Sequence, residues 1–298
     1  MTPILSILVP FYRDDPSGLV RALAGQYADL ESGAAELILY DDGSADSELT
    51  GRVETALEAW PGPAGLILGG VNKGRAAARN ALAEAATAPH LLFLDADMLP
   101  SDSYFVCRWL NAARGRPDIV FGGFQVPDRV APESALHRAF SASGDCLDAR
   151  ARNRNPAQYV CTSNLLVRAD VLRAAPFDAG FSGWGWEDSE WAARAAAQFR
   201  IDHIDNPAIH LGLESADTLL TRFRDSAVNY ARFVSRHPDL AATLGSYAWA
   251  RRVKRAPAVR RIRPVLAALA RGHAPAPMPV RVLALKLWRA SWYSEVLP

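Results

Sequence analysis

Short apolar runs alternate with longer amphipathic segments along the first 125 residues of the chain. The runs ILSILVP, AELILYDDGS, AGLILGG and HLLFLDAD predict buried strands. The segments at 16–27 and 47–59, the alanine-rich KGRAAARNALAEAA and the segment at 101–113 predict helices. Strands that alternate with helices at this spacing indicate a parallel sheet with helices on both faces. The sequence therefore predicts an α/β fold in which a mostly parallel sheet is flanked by helices.

The regular alternation stops in the second half of the chain. Residues 126–157 are polar and irregular, and the runs DIVFGGF, YVCTSNLLV and FRIDHID around them predict further strands. A helical pattern resumes near Thr218, and a Pro-rich linker at 271–280 precedes a last predicted helix. We therefore expect a body over residues 1–215, with halves at about 1–125 and 126–215, and a helical extension over 216–298.

The charge of the chain is distributed unevenly between these parts. The 298 residues are 50% hydrophobic and 22% charged, which is ordinary for a globular protein. From Arg251 onward there are eleven Lys and Arg but one acid, Glu295, whereas the first 250 residues carry 22 basic and 31 acidic groups. An acidic body with a basic tail predicts attraction to an anionic surface.

Two interpretations of this tail remain open. Its cations could form a solvated helix face, or they could attract anionic lipid, with Trp288 and Trp292 giving the last helix the apolar bulk of an interfacial segment. Nucleic-acid binding is disfavoured because no recognised binding module accompanies the charge. We predict peripheral attachment to the inner face of the cytoplasmic membrane.

The cysteines and the apolar runs indicate the compartment. Cys107, Cys146 and Cys161 are widely spaced and match no zinc or redox pattern. The first residues lack a basic lead-in to their apolar run, and no uninterrupted apolar stretch of about 18 residues is present. The sequence predicts a cytoplasmic protein without a transmembrane helix.

Paired acids follow two of the predicted strands. Asp95 and Asp97 end the fourth strand, and Asp41 and Asp42 follow the second. Ligands of open α/β sheets bind at the carboxyl ends of the strands, so these acids are candidates to hold a divalent cation and a nucleotide. The structural alternative is that they cap the helices that follow.

Cations gather at the start of the third predicted helix. Lys73, Arg75 and Arg79 lie in NKGRAAARN, where positive side chains oppose the helix dipole. A negatively charged ligand at the free backbone N–H groups would remove that conflict. We therefore expect Lys73 and Arg79 to contact a nucleotide.

A block rich in tryptophan and acid follows at residues 180–191, GFSGWGWEDSEW. Acids at the start of a helix and aromatic residues that anchor its entry explain the block structurally. The functional interpretation is a pocket in which aromatic rings contact a sugar and a carboxylate accepts a hydroxyl proton.

These blocks resemble, in order, the motifs of the family 2 glycosyltransferases with the GT-A fold. The resemblance rests on VPFYR, DDGSAD, NKGRAAARN, FLDADM, TSNLLVRADVL and FDAGFSGWGWEDSEW and covers about residues 4–215. The last block is most similar to the chondroitin-polymerase and β-1,4-galactosyltransferase-like branch. RAAPFDAGF departs from the family by lacking the usual double glycine before Phe-Asp. The resemblance implies a mixed, Rossmann-like sheet, with a nucleotide-sugar half at 1–125 and an acceptor half at 126–215.

The resemblance also implies roles for individual residues. It implies that the uracil of a UDP-sugar contacts Pro10, Phe11, Tyr12 and Asp41, that Asp95 lies near the ribose, and that Asp97 binds Mn²⁺ or Mg²⁺. It implies further that Asp188 is the general base, that Glu187 binds an acceptor hydroxyl, and that Trp184, with Trp186 beside it, packs on the sugars. A third metal ligand is expected at His210, in NPAIHLGL, whose alternative is a hydrogen-bonded core histidine; Asp95 is a further candidate ligand.

The sequence thus predicts a metal-dependent, inverting transfer of a sugar from a UDP-sugar to a hydroxyl of a glycan or lipid-linked acceptor. A catalytically silent, carbohydrate-binding relative is one alternative, and it predicts a damaged D-x-D or E-D pair, whereas both pairs are intact. A sugar nucleotidyltransferase is the other, and it requires a Gly-rich N-terminal loop with Arg and a catalytic Lys, which VPFYRDDPSG is not.

Overall fold

The computed structural model describes residues 2–28, 30 and 33–297. Within them, ten strands form one sheet of seven and one sheet of three. The strands are, in chain order, β1 (Leu5–Phe11), β2 (Ala35–Asp41), β3 (Ala64–Leu68), β4 (His90–Leu94), β5 (Met98–Pro100), β6 (Ile119–Phe121), β7 (Phe124–Gln125), β8 (Asn164–Arg168), β9 (Ile201–His203) and β10 (Ala208–His210).

Helices cover both faces of the larger sheet and form the whole of the extension. The helices are α1 (Ser17–Tyr27), α2 (Ser47–Leu57), α3 (Arg75–Ala85), α4 (Phe105–Arg114), α5 (Ala135–Ala142), α6 (Ala149–Arg152), α7 (Ala169–Ala174), α8 (Glu187–Ala195), α9 (Ala216–Asp225), α10 (Ala227–Arg236), α11 (Pro238–Thr243), α12 (Gly245–Arg255), α13 (Ala258–Arg261), α14 (Arg263–Arg271) and α15 (Met278–Val296). Two short 3-10 turns lie at Pro132–Ser134 and Pro156–Tyr159.

The larger sheet has the order β3-β2-β1-β4-β8-β6-β9. Its pairs are parallel except that β8 runs antiparallel to both β4 and β6. This mixed, mostly parallel sheet with flanking helices confirms the predicted fold class. Because β8 is reversed, its first residue, Asn164, pairs with Leu94 at the end of β4. The residues just before β8 therefore lie beside the acids that follow β4.

Side chains of the central strands alternate between two apolar layers. In β1, Leu5, Ile7 and Val9 pack into a cluster with α1, α2 and α4, whereas Leu8 packs into a second cluster with α3, α7 and α8. A buried strand has this period of two because successive side chains point to opposite faces. The sheet thus lies between two layers of helices, and the ends of its strands are accessible at one edge.

The predicted strand DIVFGGF is two strands in the structure. β6 ends at Phe121, and Gly123 has a φ of +84°, which turns the chain so that β7 joins the smaller sheet. At Gly122 a Cβ atom would lie 2.6 Å from the carbonyl oxygen of Asn206, so the backbone packs too closely for a side chain. The smaller sheet brings β10 antiparallel to β5, with His210 opposite Met98.

Two other boundaries differ from the sequence prediction. The helix predicted over 101–113 begins at Phe105, because Asp102 accepts the backbone N–H of Tyr104 and holds the preceding residues in a turn. The stretch 126–157, predicted to be irregular, contains α5 and α6. Their brevity, eight and four residues, leaves little periodic signal in the sequence.

The extension packs on the body of the protein through α15, whose fully buried Leu285 shares an apolar cluster with Leu136 of α5. Within the extension, Trp288 donates its indole N–H to the carbonyl oxygen of Leu220 in α9 at 3.0 Å. Trp292 lies against Arg263, whose guanidinium is 3.7 Å from the ring centroid. Protein therefore covers much of the apolar surface that motivated the membrane prediction, although Leu283 is 43% exposed. None of the helices in the described part of the chain combines the length and the apolar character of a transmembrane span.

Candidate active site

A cleft at the open edge of the larger sheet contains the acids that the sequence singled out. β4 ends at Leu94, so Asp95 and Asp97 lie in the turn beyond the strand rather than within it. Both nevertheless line the two adjoining cavities of the cleft, of about 310 Å³ and 600 Å³. Asp188, from the start of α8, lines the larger cavity. The structure thus brings together acids that are more than 90 positions apart in the chain.

Arg79 holds these acids together from beneath. Its side chain is 1% exposed, and its guanidinium lies 3.2 Å from Asp95 Oδ1, 3.4 Å from Glu187 Oε1 and 3.2 Å from Asp188 Oδ1. Burial alone would lower the pKa of Arg79, but the three carboxylates outweigh that effect and raise it above its usual value. Arg79 is therefore a permanent cation whose partners in this structure are protein carboxylates. It also lines the smaller cavity, and its contact with a nucleotide stays a prediction.

The carboxylate of Asp188 is oriented by the residues that precede β8. Thr162 donates its hydroxyl to Oδ1 at 2.8 Å and its backbone N–H to Oδ2 at 3.3 Å, and the thiol of Cys161 lies 3.5 Å from Oδ2. These contacts follow from the antiparallel direction of β8, which carries Thr162 to the same sheet edge as Asp95. Asp188 is 19% exposed, so the carboxylate is both fixed and accessible from the cleft.

Glu187 begins α8 and is nearly enclosed. Its Oε1 lies 3.9 Å from a guanidinium nitrogen of Arg75 in addition to its contact with Arg79. Burial, and then the charge of Asp188, raise the pKa of Glu187, while Arg79 and Arg75 oppose the rise. Glu187 and Asp188 also lie in the first turn of α8, where the helix dipole favours acids. The structural explanation of the acidic block is thus correct as well.

The smaller cavity contains part of the predicted nucleotide site. Its lining includes Pro10, Phe11 and Tyr12. The carboxylate of Asp41 is buried and accepts the backbone N–H of Ser44, which holds the turn after β2. Asp42, and not Asp41, reaches the wall of the cavity.

The loop before α3 meets this wall through its backbone. Asp42 accepts the backbone N–H groups of Lys73 and Gly74 at 2.9 and 2.8 Å. The Lys73 side chain is exposed and does not line the cavity, whereas Arg75 lines both cavities. The cation that the structure presents to a ligand is thus Arg75.

The two tryptophans of the acidic block differ in their surroundings. Trp184 lines the larger cavity and makes an edge-on contact with Phe223 at 5.5 Å between centroids. Trp186 also borders that cavity, but its ring packs against Tyr230 and donates its N–H to the hydroxyl of Tyr293 at 3.0 Å. Trp186 therefore anchors the start of α8 to the extension, and Trp184 is the ring with fewer protein contacts.

Asp97 and His210 form the only predicted metal pair that the structure brings into contact. Oδ2 of Asp97 lies 3.2 Å from Nε2 of His210. Burial would raise the pKa of Asp97, but the hydrogen bond and charge of His210 lower it; the same contact raises the pKa of His210 against the effect of burial. A Cβ atom at Gly212 would lie 1.9 Å from Asp97 Oδ2, so the pair requires glycine there.

This pair fits a divalent cation that shares its coordination with a substrate. A carboxylate and an imidazole are ligands suited to Mn²⁺ and acceptable to Mg²⁺. In the described part of the chain, no group of three or more His, Cys, Asp or Glu side chains is arranged to hold a metal ion. Arg79 engages Oδ1 of Asp95, so only Oδ2 of this acid is left to bind a cation, and its role as a ligand stays a prediction. Further ligands would have to come from a bound diphosphate and water.

Several residues of the cleft carried no recognisable signal in the sequence. Arg222 lines both cavities, pairs with Glu214 at 2.5 Å and lies over the ring of Trp184. His137 contacts His210 edge-on at 5.8 Å, and burial lowers its pKa to about 4, so it is neutral. These residues come from α5 and α9, far from any motif, and only the fold reveals them.

We predict that Arg79→Met destabilises the protein by about 3–5 kcal/mol at pH 7.5, because it leaves Asp95, Glu187 and Asp188 as uncompensated buried charges. Without the cation, these carboxyl groups have higher pKa values in the folded protein than in the unfolded chain, where they are about 4.5. The loss of stability should therefore shrink as the pH falls from 7.5 to 5, because protonation removes the uncompensated charge. Urea denaturation at the two pH values measures the free energy of unfolding.

The matched control is Arg75→Met, which removes a cation that is 45% exposed and touches the same acid. It should cost less than about 1 kcal/mol. Equal losses for the two variants, or a loss for Arg79→Met that is the same at both pH values, would contradict the compensating role of Arg79.

Comparison with known proteins identifies the chain. Residues 6–174 match the family model of glycosyl transferase family 2. Two curated relatives, both named validoxylamine A glucosyltransferase, come from Streptomyces hygroscopicus subsp. limoneus and from subsp. jinggangensis (strain 5008). Each is 28% identical over 271 residues, which are 81% of this chain and 58% and 63% of the relatives. The chain thus spans about three fifths of the length of these relatives.

Solved structures of similar fold support the same assignment. The mannosyltransferase PcManGT from Pyrobaculum calidifontis, in complex with GDP-Man and Mn²⁺, has a TM-score of 0.60 at 16% identity over 99% of this chain and 88% of that one. S. aureus TarS 1-349 in complex with UDP has a TM-score of 0.52 at 16% identity over 99% and 90%. These likenesses confirm the GT-A fold, while the branch suggested by the acidic block stays a prediction. The protein belongs to glycosyltransferase family 2.

Proposed function

We propose that the protein is a metal-dependent, inverting glycosyltransferase that moves a sugar from a UDP-sugar to a hydroxyl of a glycan or lipid-linked acceptor. The observation that carries the proposal is the convergence of Asp95, Asp97 and Asp188 on one cleft, with a smaller cavity on one side and a larger cavity on the other. A donor in the smaller cavity would meet an acceptor in the larger one beside Asp188. That is the arrangement that direct transfer between two bound substrates requires.

Asp188 is the general base in this proposal. Thr162 and Arg79 hold one carboxylate oxygen and Thr162 also holds the other, so the base is aligned before the substrate arrives. The acceptor oxygen forms a bond to the anomeric carbon while its proton passes to Asp188. The bond between that carbon and the diphosphate breaks, and its electron pair leaves with the nucleotide. Attack opposite the leaving group inverts the anomeric centre.

Other residues bind and orient the two substrates. Glu187, which lines the larger cavity, offers its carboxylate to a second acceptor hydroxyl. Trp184 packs on the acceptor, and Arg75 and Arg222 offer positive charge to the diphosphate. Asp97 and His210 would hold Mn²⁺ or Mg²⁺, which neutralises negative charge on the departing nucleotide.

The identity of the donor rests on comparison and on the shape of the site. TarS has been solved with UDP and UDP-GlcNAc, PcManGT with GDP-Man, and the two curated relatives are named glucosyltransferases. The smaller cavity, with Phe11, Tyr12 and Asp42 in its wall, supports a nucleotide base bound against aromatic rings and a carboxylate. We propose UDP as the nucleotide.

We predict that Asp188→Asn lowers transfer and donor hydrolysis by a factor of roughly 10²–10⁴, because the amide cannot accept the hydroxyl proton. Binding of UDP should remain nearly intact, since Asp188 borders the acceptor-side cavity. UDP release from a panel of UDP-sugars, with and without Mn²⁺, measures the first effect, and calorimetry with UDP measures the second.

Asp239→Asn is the control, because this acid is exposed in the first turn of α11 and distant in sequence from the cleft. An equal loss of turnover and of UDP binding in Asp188→Asn would assign Asp188 a structural role. A wild-type protein that binds UDP-sugars without any turnover would favour the silent carbohydrate-binding alternative.

We predict that Gly212→Ala raises the Mn²⁺ concentration needed for half-maximal UDP release by roughly 10–100-fold, because the new methyl group pushes the Asp97 carboxylate away from His210. Gly70→Ala is the matched control, since its Cβ would meet nothing within 4 Å. An unchanged Mn²⁺ requirement in Gly212→Ala, or activity that EDTA does not affect, would remove metal dependence from the proposal.

We also propose attachment to the inner face of the cytoplasmic membrane, now through charge rather than through the last helix. Arg251, Arg252, Arg255 and Arg261 are exposed on α12 and α13, and each basic residue near an anionic surface contributes about 1 kcal/mol. The protein should therefore sediment with vesicles containing 30 mol% phosphatidylglycerol at low salt and be released at high salt. Sedimentation with neutral vesicles to the same extent, or with neither, would contradict the proposal.

A further inference from the structure

The acceptor-side cavity has a cationic corner that comes from the extension. Lys286 and Arg289 lie three positions apart on α15, so they share one face of that helix. The guanidinium of Arg289 lies 4.9 Å from the ring centroid of Phe223 and 5.3 Å from that of Phe140, and the ammonium of Lys286 lies 5.9 Å from Phe140. Arg289 and both rings line the cavity of about 600 Å³.

Neither cation has a hydrogen bond or an ion pair with any residue that the structure describes. Other cations of the extension differ, since Arg263 and Arg281 donate to backbone oxygen atoms and Arg271 pairs with Asp217. A guanidinium carries five N–H donors, and the aromatic rings satisfy none of them in the plane of the group. Arg289 is half-buried, so its free donors favour a polar ligand from the cavity.

Asp145 lines the same cavity and lies within electrostatic range of both Arg289 and Lys286. Its one carboxylate does not balance the two cations, so these three residues together carry net positive charge. Glu187 and Asp188 line the same cavity, but Arg79 pairs with both of them.

A path of aromatic contacts joins this corner to the segment before α8. Trp184, which precedes the acids of α8 in the chain, touches Phe223 at 5.5 Å, and Phe223 lies under Arg289. A molecule that presents a hydroxyl to Asp188 and packs on Trp184 would extend its far end towards Arg289. Arg289 lines only the larger cavity, whereas Arg75 and Arg222 line both.

We propose that the acceptor carries an anionic group, a phosphate or a carboxylate, which Arg289 and Lys286 bind at the end remote from the hydroxyl that receives the sugar. The inference rests on the proposed function and adds the chemical class of the acceptor to it. The planar guanidinium can pair with two oxygen atoms of such a group, and the aromatic platform fixes its orientation. Arg289 is thus a specificity-determining residue supplied by the extension.

The test uses the full chain with UDP-sugar donor and a panel of neutral hexoses and pentoses, each with its 6- or 5-phosphate and its uronic acid. We expect the charged members to raise UDP release above donor hydrolysis more than the neutral member of the same set. Preference for the phosphates or for the uronic acids identifies the anionic group that the acceptor carries.

Arg289→Gln and Lys286→Gln should each raise the KM for the preferred charged acceptor roughly tenfold or more, with the KM for the donor unchanged. Arg289→Lys should restore part of the lost affinity for that acceptor.

Arg21→Gln is the control, because it removes the same charge from an exposed position on α1 that lines neither cavity. The inference is overturned if neutral and charged acceptors are used equally, if no member of the panel raises UDP release above hydrolysis, or if Arg21→Gln and Arg289→Gln raise the KM alike. Failure of the proposed function gives a different result, namely no UDP release from any UDP-sugar by the wild-type protein.

Discussion

The cleft depends on one buried cation that is shared among three acids. Asp95, Glu187 and Asp188 repel one another, and each loses hydration where it lies, so the arrangement is unfavourable without compensation. The guanidinium of Arg79 supplies that compensation from a position that is 1% exposed, reaching Asp95 with one terminal nitrogen and the acids of α8 with the other. A lysine could not span this distance in two directions, because its charge is a single point. The packing of α3 against the sheet is therefore also what holds the acids of the cleft together.

Engaging Arg79 in this way determines which cations are available for substrate. Arg79 lines the smaller cavity, but protein carboxylates balance its charge, and the other arginines that line the cleft are Arg75, Arg222 and Arg289. Two of these belong to helices of the extension. The boundary at residue 215 that the sequence pattern suggested therefore separates segments of the chain, while residues from both sides of it form the walls of the cleft.

The sequence predicted the elements of the body well because each buried strand there is a continuous apolar run. It also located the acids after β4 and at the start of α8, since each lies within a short block of distinctive residues. What it could not predict were interactions between distant segments. The sequence assigned Arg79 to a nucleotide because only its position at a helix start was visible, whereas its partners are up to 109 positions away.

The same limitation explains the last helix and the acids after β2. Trp288 and its apolar neighbours indicate a surface that must be covered, but a helix with that pattern packs equally well on protein or on lipid, and α9 covers it here. Asp41 and Asp42 are adjacent in sequence, and only the turn made by Ser44 determines that Asp42 lines the cavity. Local pattern identifies which residues matter, and the tertiary contacts decide what each one touches.

The left-handed backbone of Trp186 has a consequence for how the cleft responds to heating. A tryptophan with a φ of +76° is strained by roughly 1–3 kcal/mol, and its ring is held there by Tyr230 and Tyr293 in the extension. The next residue is Glu187, so the acidic start of α8 keeps its position only while those aromatic contacts persist. Local opening of the aromatic cluster would release the strain and displace the acids while the seven-stranded sheet is still intact. The cleft should therefore lose its geometry before the sheet melts, so its resistance to heat depends on the helical extension rather than on the core.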